Sequence, residues 1–375
     1  MAFLVHSLRT GGIERSVTRI VNGLNTKLFR PVIICLDRSG PAANWLEVDV
    51  DIIEIKKRSG NDFRAVRRLA KVLATQKADI LQSHNWGTLM EGGVARRLAN
   101  TPYHIHAERG TVLGVVEPAG VKHWIRAVAM GRALRRVDQV LSNSEAVAAR
   151  VQQRCGYPSD KIVIVPNGVP TIAQCDAERL REQMRAQLGL QQNSTLIGSV
   201  GRLAKVKGFD IAVSAFSHLA AEMPDLQLLL VGDGPERDRL EAASVQAGMN
   251  ERVHMVGRQP DVVPWLAAMD VYFNSSLSEG MSQSIVEAMS VGLPVVATEV
   301  GENVNLVKDP DSPCGLICEP NSAESLASSL RAIVKDETQQ KWFGNNSRRR
   351  HASHYSSSAL NDCFESLYLK TVGRR

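Results

Sequence analysis

Residues 278–301 read SEGMSQSIVEAMSVGLPVVATEVG, and this stretch narrows the possible folds more than any other. Its end, residues 293–298, is a short unbroken apolar run, the pattern of a parallel strand covered on both faces. Its middle has the spacing of a short helix. Ser284 and Glu287 are expected to cap that helix reciprocally, and Gly292 with Pro294 to end it. The loop Glu279-Gly280-Met281-Ser282 leads into the helix start, where unpaired N–H groups and the positive dipole end coincide and attract anions. Glu279 and Glu287 bracket that start with seven residues between them. A carboxylate suits a sugar diol, because it accepts two hydroxyl hydrogen bonds at once.

The same alternation of strand, loop and helix runs along the chain. Residues 3–5 form a first strand, followed by Gly11-Gly12 and a helix with Val17, Ile20, Val21 and Leu24 on one face. Strand, glycine pair and helix is the geometry by which open α/β sheets approach a phosphate or a sugar, although the dinucleotide pattern G-x-G-x-x-G is absent. Further strands are expected at 31–36, 51–55, 79–83, 140–144 and 163–169, the last closing in the turn Pro166-Asn167-Gly168. A basic helix is expected at 62–76. His84 follows the strand at 79–83, and His106, Arg109 and Gly110 end the next one. Polar residues at strand C-termini are where α/β sheets place their sites. For His84, a satisfied structural role is an equal alternative.

The second half begins with a helix at 176–189 and a strand at 195–200. Gly201-Arg202-Leu203-Ala204-Lys205-Val206-Lys207-Gly208 follows, and its G-R-x4-K-G pattern places the guanidinium of Arg202 and the ammonium of Lys207 after a strand. Two fixed cations can stabilise a departing diphosphate without a metal. Strands are expected at 226–231, 252–255 and 271–274, closing helices at 322–334 and 337–347, an exposed Arg348-Arg349-Arg350, and an amphipathic segment at 358–371.

A chain of 375 residues suits about two domains with their own cores. The boundaries fall at 1–168, 169–355 and a closing helix at 356–375. No apolar run approaches the roughly 18–20 residues that span a bilayer. The N-terminus runs straight from a short strand into His6 and Arg9, so no signal peptide is expected. The six cysteines show neither C-x-x-C nor zinc spacing, which suits reduced thiols of the cytosol. Charge is uneven, with a net of +11 over residues 1–170 and −5 over the rest. The first half is therefore expected to meet something acidic. No nucleic-acid recognition motif or stacking platform accompanies the charge. Residues 121–137 (VKHWIRAVAMGRALRRV) interleave Trp124, Ile125, Val128 and Ala129 with five basic side chains. This is either the solvated face of a core helix or a contact with an anionic membrane surface.

The string E-G-x6-E-A-M-x2-G-x-P-V-V-A-T at 279–298, with G-R-x4-K-G at 201–208, G-G-I-E at 11–14 and V-P-N-G-V at 165–169, resembles the retaining nucleotide-sugar glycosyltransferases of family four. The resemblance covers nearly the whole chain and is strongest from Asn143 to Val307. It implies an α/β chain of the GT-B fold, two Rossmann-like domains with mostly parallel sheets facing across a deep cleft, the last helix crossing back onto the first domain. By this resemblance the C-terminal domain binds the donor. Arg202 and Lys207 hold the diphosphate, Glu287 the ribose diol and Glu279 the donor sugar. Gly280, Met281 and Ser282 border the donor at the helix start. The loop of Gly257 and Arg258 reads the base, and the loop of Gly12 closes near the donor phosphate. His84, His106 and Arg109 line the acceptor cleft, and the catalytic set is Arg202, Lys207, Glu279 and His106.

Two departures stand out. Many relatives read H-x-E-H-G where this chain has His106-Ala107-Glu108-Arg109-Gly110. Arginine cannot act as a base near neutral pH, but it can stabilise phosphate charge. At 300–305 the family's V-G-G-N-x-E is changed by Glu302 and Asn305.

The expected activity is transfer of a sugar, with retention, from a nucleotide-diphosphate sugar to a hydroxyl of a glycan or lipid-linked acceptor in bacterial surface polysaccharide synthesis. No metal and no cofactor are expected, UDP-sugar is favoured over GDP-sugar, and the expected location is cytoplasmic or peripheral on the inner membrane face. The alternatives are a sugar-nucleotide epimerase of the same fold and a catalytically silent glycan-assembly scaffold. Donor turnover separates the scaffold from the enzymes.

Overall fold

The apolar runs of the chain become the strands of two parallel sheets. A computed structural model describes residues 1–9, 11–109, 120–191 and 193–373. It divides into one unit of Met1–Gly168 with Ser357–Arg375, and a second of Val169–Ser356. Gly110, named above with His106 and Arg109, lies outside the described residues.

In the first unit β1 (Ala2–Val5), α1 (Gly12–Gly23), β2 (Val32–Cys35), β3 (Asp51–Glu54) and α2 (Phe63–Thr75) come first. Then follow β4 (Ile80–His84), α3 (Trp86–Ala99), β5 (Tyr103–Glu108), α4 (Val121–Leu134), β6 (Gln139–Ser142), α5 (Glu145–Cys155) and β7 (Ile162–Ile164). The sheet order is β3-β2-β1-β4-β5-β6-β7, with every pair parallel. Right-handed crossovers put α2 to α5 in one layer, each packed on the next. The helix Ser357–Val372 packs on α1 instead.

The second unit runs α6 (Gln174–Gln187), β8 (Thr195–Val200), α7 (Phe209–Glu222), β9 (Leu226–Val231), α8 (Arg237–Gln246), β10 (Val253–Met255), α9 (Val263–Ala268) and β11 (Val271–Asn274). It continues with α10 (Gln283–Ser290), β12 (Val295–Thr298), α11 (Asn303–Val307), β13 (Gly315–Cys318), α12 (Ala323–Lys335) and α13 (Glu337–Arg350); Ser357–Val372 is α14. Its sheet order is β10-β9-β8-β11-β12-β13. Leucine-rich β9, valine-rich β12 and β11 with Tyr272 and Phe273 are almost wholly buried, as strands with helices on both faces must be. Among the described residues no helix is long and apolar enough to cross a membrane.

Each sheet changes direction once, between β1 and β4 and between β8 and β11. Chain connections leave to opposite sides at such a point and open a crevice beyond the strand C-termini. These two places position the residues considered below.

Three local expectations are corrected. Ser284 and Glu287 do not cap α10. The helix starts at Gln283 behind Ser282, with no side-chain cap, and Ser284 Oγ instead takes the hydroxyl of buried Tyr272 at 2.7 Å. A buried phenol usually finds a hydrogen-bond partner, and Ser284 supplies it. Residues 163–169 are strand only to Ile164, because Pro166 cannot donate to a ladder. Arg348, Arg349 and Arg350 form the last turn of α13 and are not an exposed run beyond it. Arg348 donates to the Val291 carbonyl at 2.9 Å, and Arg350 bonds the Asp309 carboxylate and the Asn305 carbonyl.

Candidate functional site

In the second unit the crevice between β8 and β11 brings together Lys207 and Glu279, 72 residues apart in the chain. Lys207 Nζ lies 2.6 Å from Glu279 Oε1. Ser276 Oγ donates to the same oxygen at 2.8 Å. The loops that carry them interlock through the backbone. Gly208 has φ +61°, and a Cβ there would stand 2.2 Å from the Ser275 carbonyl oxygen, so only glycine fits the approach. Ser275 Oγ donates to the Lys207 carbonyl at 2.9 Å, and Leu277 N to the Val206 carbonyl at 2.8 Å.

Beneath the pair lies a buried polar network that sequence reading missed. Asn274 Nδ2 donates to Ser282 Oγ at 3.1 Å. Asn303 Nδ2 donates to Asn274 Oδ1 at 3.3 Å and to the Thr298 carbonyl at 3.1 Å. Thr298 Oγ1 donates to the Ser276 carbonyl at 2.7 Å. The hydroxyl- and amide-rich run Asn274-Ser275-Ser276, at the end of an apolar strand, was the available signal. The loop after β12 is tied in as well, since Glu302 N donates to the Gly280 carbonyl at 2.9 Å. The two departures at 300–305 meet each other, with Asn305 Nδ2 donating to Glu302 Oε1 at 2.9 Å.

The other expected donor residues are placed as follows. Arg202 is exposed in the loop after β8, with no side-chain partner among the described residues. Gly280 joins the network through its carbonyl. Met281 packs into the core at 7% exposure, Ser282 is the N-cap of α10, and Glu287 is 3% exposed in the second turn of that helix. Gly257 and exposed Arg258 follow β10 at the edge of the sheet, away from the reversal, and the Gly257 carbonyl accepts from Gly232 N at 2.9 Å.

In the first unit Gly12 is the exposed first residue of α1. His84, His106 and Arg109, expected to line the acceptor cleft, are all buried, with exposures of 3%, 0% and 8%. The cause is position, since β4 and β5 are central strands with helices on both faces. Ser83 Oγ bridges His104 Nε2 at 2.8 Å and His106 Nδ1 at 2.9 Å. His106 Nε2 faces Glu108 Oε2 at 3.6 Å, outside hydrogen-bond reach. Burial lowers both His104 and His106 to about 3 and pushes Glu108 up to about 8. Near neutral pH all three are therefore uncharged. His106 is an interior residue, its ring held by Ser83. On the other face of the sheet Tyr368 donates to Gln82 Oε1 at 2.7 Å, and Gln82 Nε2 lies 3.4 Å from His84 Nε2. Arg109 Nη1 donates to Ser16 Oγ and to Asn167 Oδ1, both at 2.7 Å.

Comparison with known proteins accounts for both units. The family described as Glycosyltransferase Family 4 matches residues 10–172, and that described as Glycosyl transferases group 1 matches residues 181–350. A 2-deoxystreptamine glucosyltransferase of Streptomyces kanamyceticus is 32% identical over 284 residues, covering 72% of each chain. A UDP-Gal:alpha-D-GlcNAc-diphosphoundecaprenol alpha-1,3-galactosyltransferase of Escherichia coli is 26% identical, covering 96% of this chain and 94% of its own. Among solved structures, Anabaena Alr3699/HepE in complex with UDP and glucose superposes with a TM-score of 0.79 over 98% of both chains at 21% identity. That likeness gives the fold, and with the two family matches it makes this chain a member of the family-four glycosyltransferases, built on the GT-B fold.

Proposed function

We propose that this glycosyltransferase takes its sugar from a nucleotide-diphosphate donor, UDP-linked in preference to GDP-linked, and moves it with retention to a hydroxyl of a glycan or lipid-linked acceptor. The observation that carries the reading is the meeting of Lys207 and Glu279 at the β8/β11 crevice. Lys207 has three donors on its ammonium, so the bond to Glu279 leaves others for diphosphate oxygens. Arg202, exposed in the same loop, supplies a planar fork for a second phosphate contact. Together they stabilise the charge that develops on the leaving diphosphate, so a metal ion is not required. Glu279, oriented by Ser276 and Lys207, receives the hydroxyls of the donor sugar. The acceptor hydroxyl attacks on the face the diphosphate leaves, and a leaving-group oxygen takes its proton.

Similar proteins support this choice of donor and acceptor: the E. coli relative is named for UDP-Gal and a diphosphoundecaprenol-linked sugar, and HepE is solved with UDP-glucose. A peripheral station on the cytoplasmic face of an anionic membrane belongs to the same reading. Helices α2, α3 and α4 carry nine Lys and Arg against the single acid Glu91. Val121, Trp124 and Ile125 stand 73%, 65% and 55% exposed among them. Met90, Val94 and Leu98 add an exposed apolar line on α3. Basic side chains beside apolar anchors are the composition of an interfacial surface.

The test is calorimetric titration of UDP and GDP, each with and without a chelator, followed by NMR of the product's anomeric proton. Equal affinity for both nucleotides, loss of turnover with chelator, or an inverted anomer would each remove one part of the reading.

A further inference from the structure

Arg109 is held in an unusual way for a buried cation. Its Nη1 is engaged by Ser16 and Asn167, and its guanidinium carbon lies 5.6 Å over the ring of Phe364. These contacts fix the plane of the group. Its Nε and Nη2 are buried without any acceptor. The two N–H bonds they carry form one edge of the fork, parallel and spaced to meet two oxygens of a carboxylate or phosphate. No carboxylate pairs with Arg109 among the described residues. Its neighbour Glu108 points to the opposite face of β5, beside His106.

His84 adds a third donor. Tyr368 donates to Gln82 Oε1, so Gln82 Nε2 faces His84 Nε2 as the donor of that contact. The neutral imidazole then carries its hydrogen on Nδ1, which is buried without a partner. His84 is near enough to feel the charge of Arg109, which helps keep the ring neutral, after burial itself. Three unsatisfied N–H groups and no acid are a surplus of donors that native interiors rarely leave uncompensated.

We propose that the side-on edge of Arg109, with His84 beside it, receives an anionic oxygen-acid group, a phosphate or a carboxylate, carried by the acceptor. This rests on the first unit being the acceptor-binding one. The enzyme would then discriminate between a charged acceptor and its neutral counterpart, and Arg109 would act in binding, not as a base.

The experiment titrates the full chain, saturated with UDP, with inorganic phosphate and separately with acetate, and with glucose as the neutral control. UDP affinity measured first reports on the donor site by itself. Its absence would refute the donor reading and leave the anion titration to judge Arg109. The expected result is saturable binding of one anion, about tenfold weaker in Arg109→Gln and intermediate in Arg109→Lys, which keeps the charge and loses the fork. The tighter of phosphate and acetate identifies the group. Should Arg109→Gln not fold, Arg109→Lys still decides, because loss of the two-point contact weakens binding about fivefold. Equal binding in wild type and variants, no binding of either anion, or phosphate binding that UDP abolishes would each overturn the proposal.

Discussion

Glu108 is the group whose titration should speak most directly from the interior of the first unit. It is 1% exposed, neither carboxyl oxygen has a hydrogen-bond partner, and burial pushes it from 4.5 up to about 8. Near pH 7 it is held as the neutral acid, a shape that glutamine reproduces. Between 4.5 and about 8 the folded protein binds the proton and the unfolded chain has released it. This contribution is therefore complete below the lower value and is lost as pH rises through the upper one. At about 1.4 kcal/mol per pH unit, the window sets an upper limit of about 5 kcal/mol. Local opening that admits water makes the realised loss smaller. Glu108→Gln removes the proton and hence the alkaline limb. It leaves the acid limb, because His104 and His106, lowered to about 3, still lose their contribution as pH falls from 6.5. The assay is amide exchange of β5 in both proteins at pH 5.5, 7 and 9. Comparison at equal pH cancels intrinsic exchange rates, and the first unit is read separately from the second. The variant should already exceed wild-type protection at pH 5.5, one unit above the lower value, by up to about 1.4 kcal/mol, and the margin should grow to the highest pH. Parallel curves would mean that Glu108 is ionised like an exposed carboxylate, and the account of a neutral interior would fail.

Lys207→Met should lower donor turnover by about 10²–10³-fold, the size of losing one preorganised charge on a leaving group; steady-state kinetics beside Glu279→Gln checks it, and a change below threefold would move the diphosphate elsewhere. Gly208→Ala meets the Ser275 carbonyl from a left-handed backbone, so urea unfolding should show a loss of about 2 kcal/mol or more, with UDP affinity falling alongside. Trp124→Ser with Ile125→Ser should cut flotation with anionic vesicles at least about tenfold, from the apolar area no longer buried. Turnover of a soluble acceptor should stay unchanged, and undiminished flotation would return α4 to the status of a solvated helix.

The sheets were legible because a parallel strand covered on both faces has to be a short apolar run, and Thr195–Val200, Leu226–Val231 and Val271–Asn274 were bounded to the residue. The motif loops were legible for a related reason: glycine at positive φ and charge after a strand are local signals. What could not be read was anything that depends on which loops lie side by side. The capping box at 284–287 failed because Tyr272, twelve residues earlier, needed the same hydroxyl. The burial of His106 could not be read either, because alternation along β5 says which residues share a face and cannot say that both faces are covered.

The changes at 300–305 show how far this limit reaches into function. In sequence, Glu302 and Asn305 are two separate losses from a glycine-rich pattern, and each argues for a weaker donor site. In the folded chain they form one hydrogen bond, three residues apart at the start of α11. Glu302 meanwhile keeps the contact that needs no particular side chain, its own N–H on the Gly280 carbonyl. Gly301 keeps the left-handed turn and the close approach to the Glu279 carbonyl that a Cβ would forbid. The backbone that carries the loop to Glu279 is therefore preserved, and the change falls on side chains that bond each other through Glu302 Oε1, while Oε2 stays buried without a partner. Paired substitutions of this kind are not additive, so counting departures from a family pattern one residue at a time overstates what a site has lost.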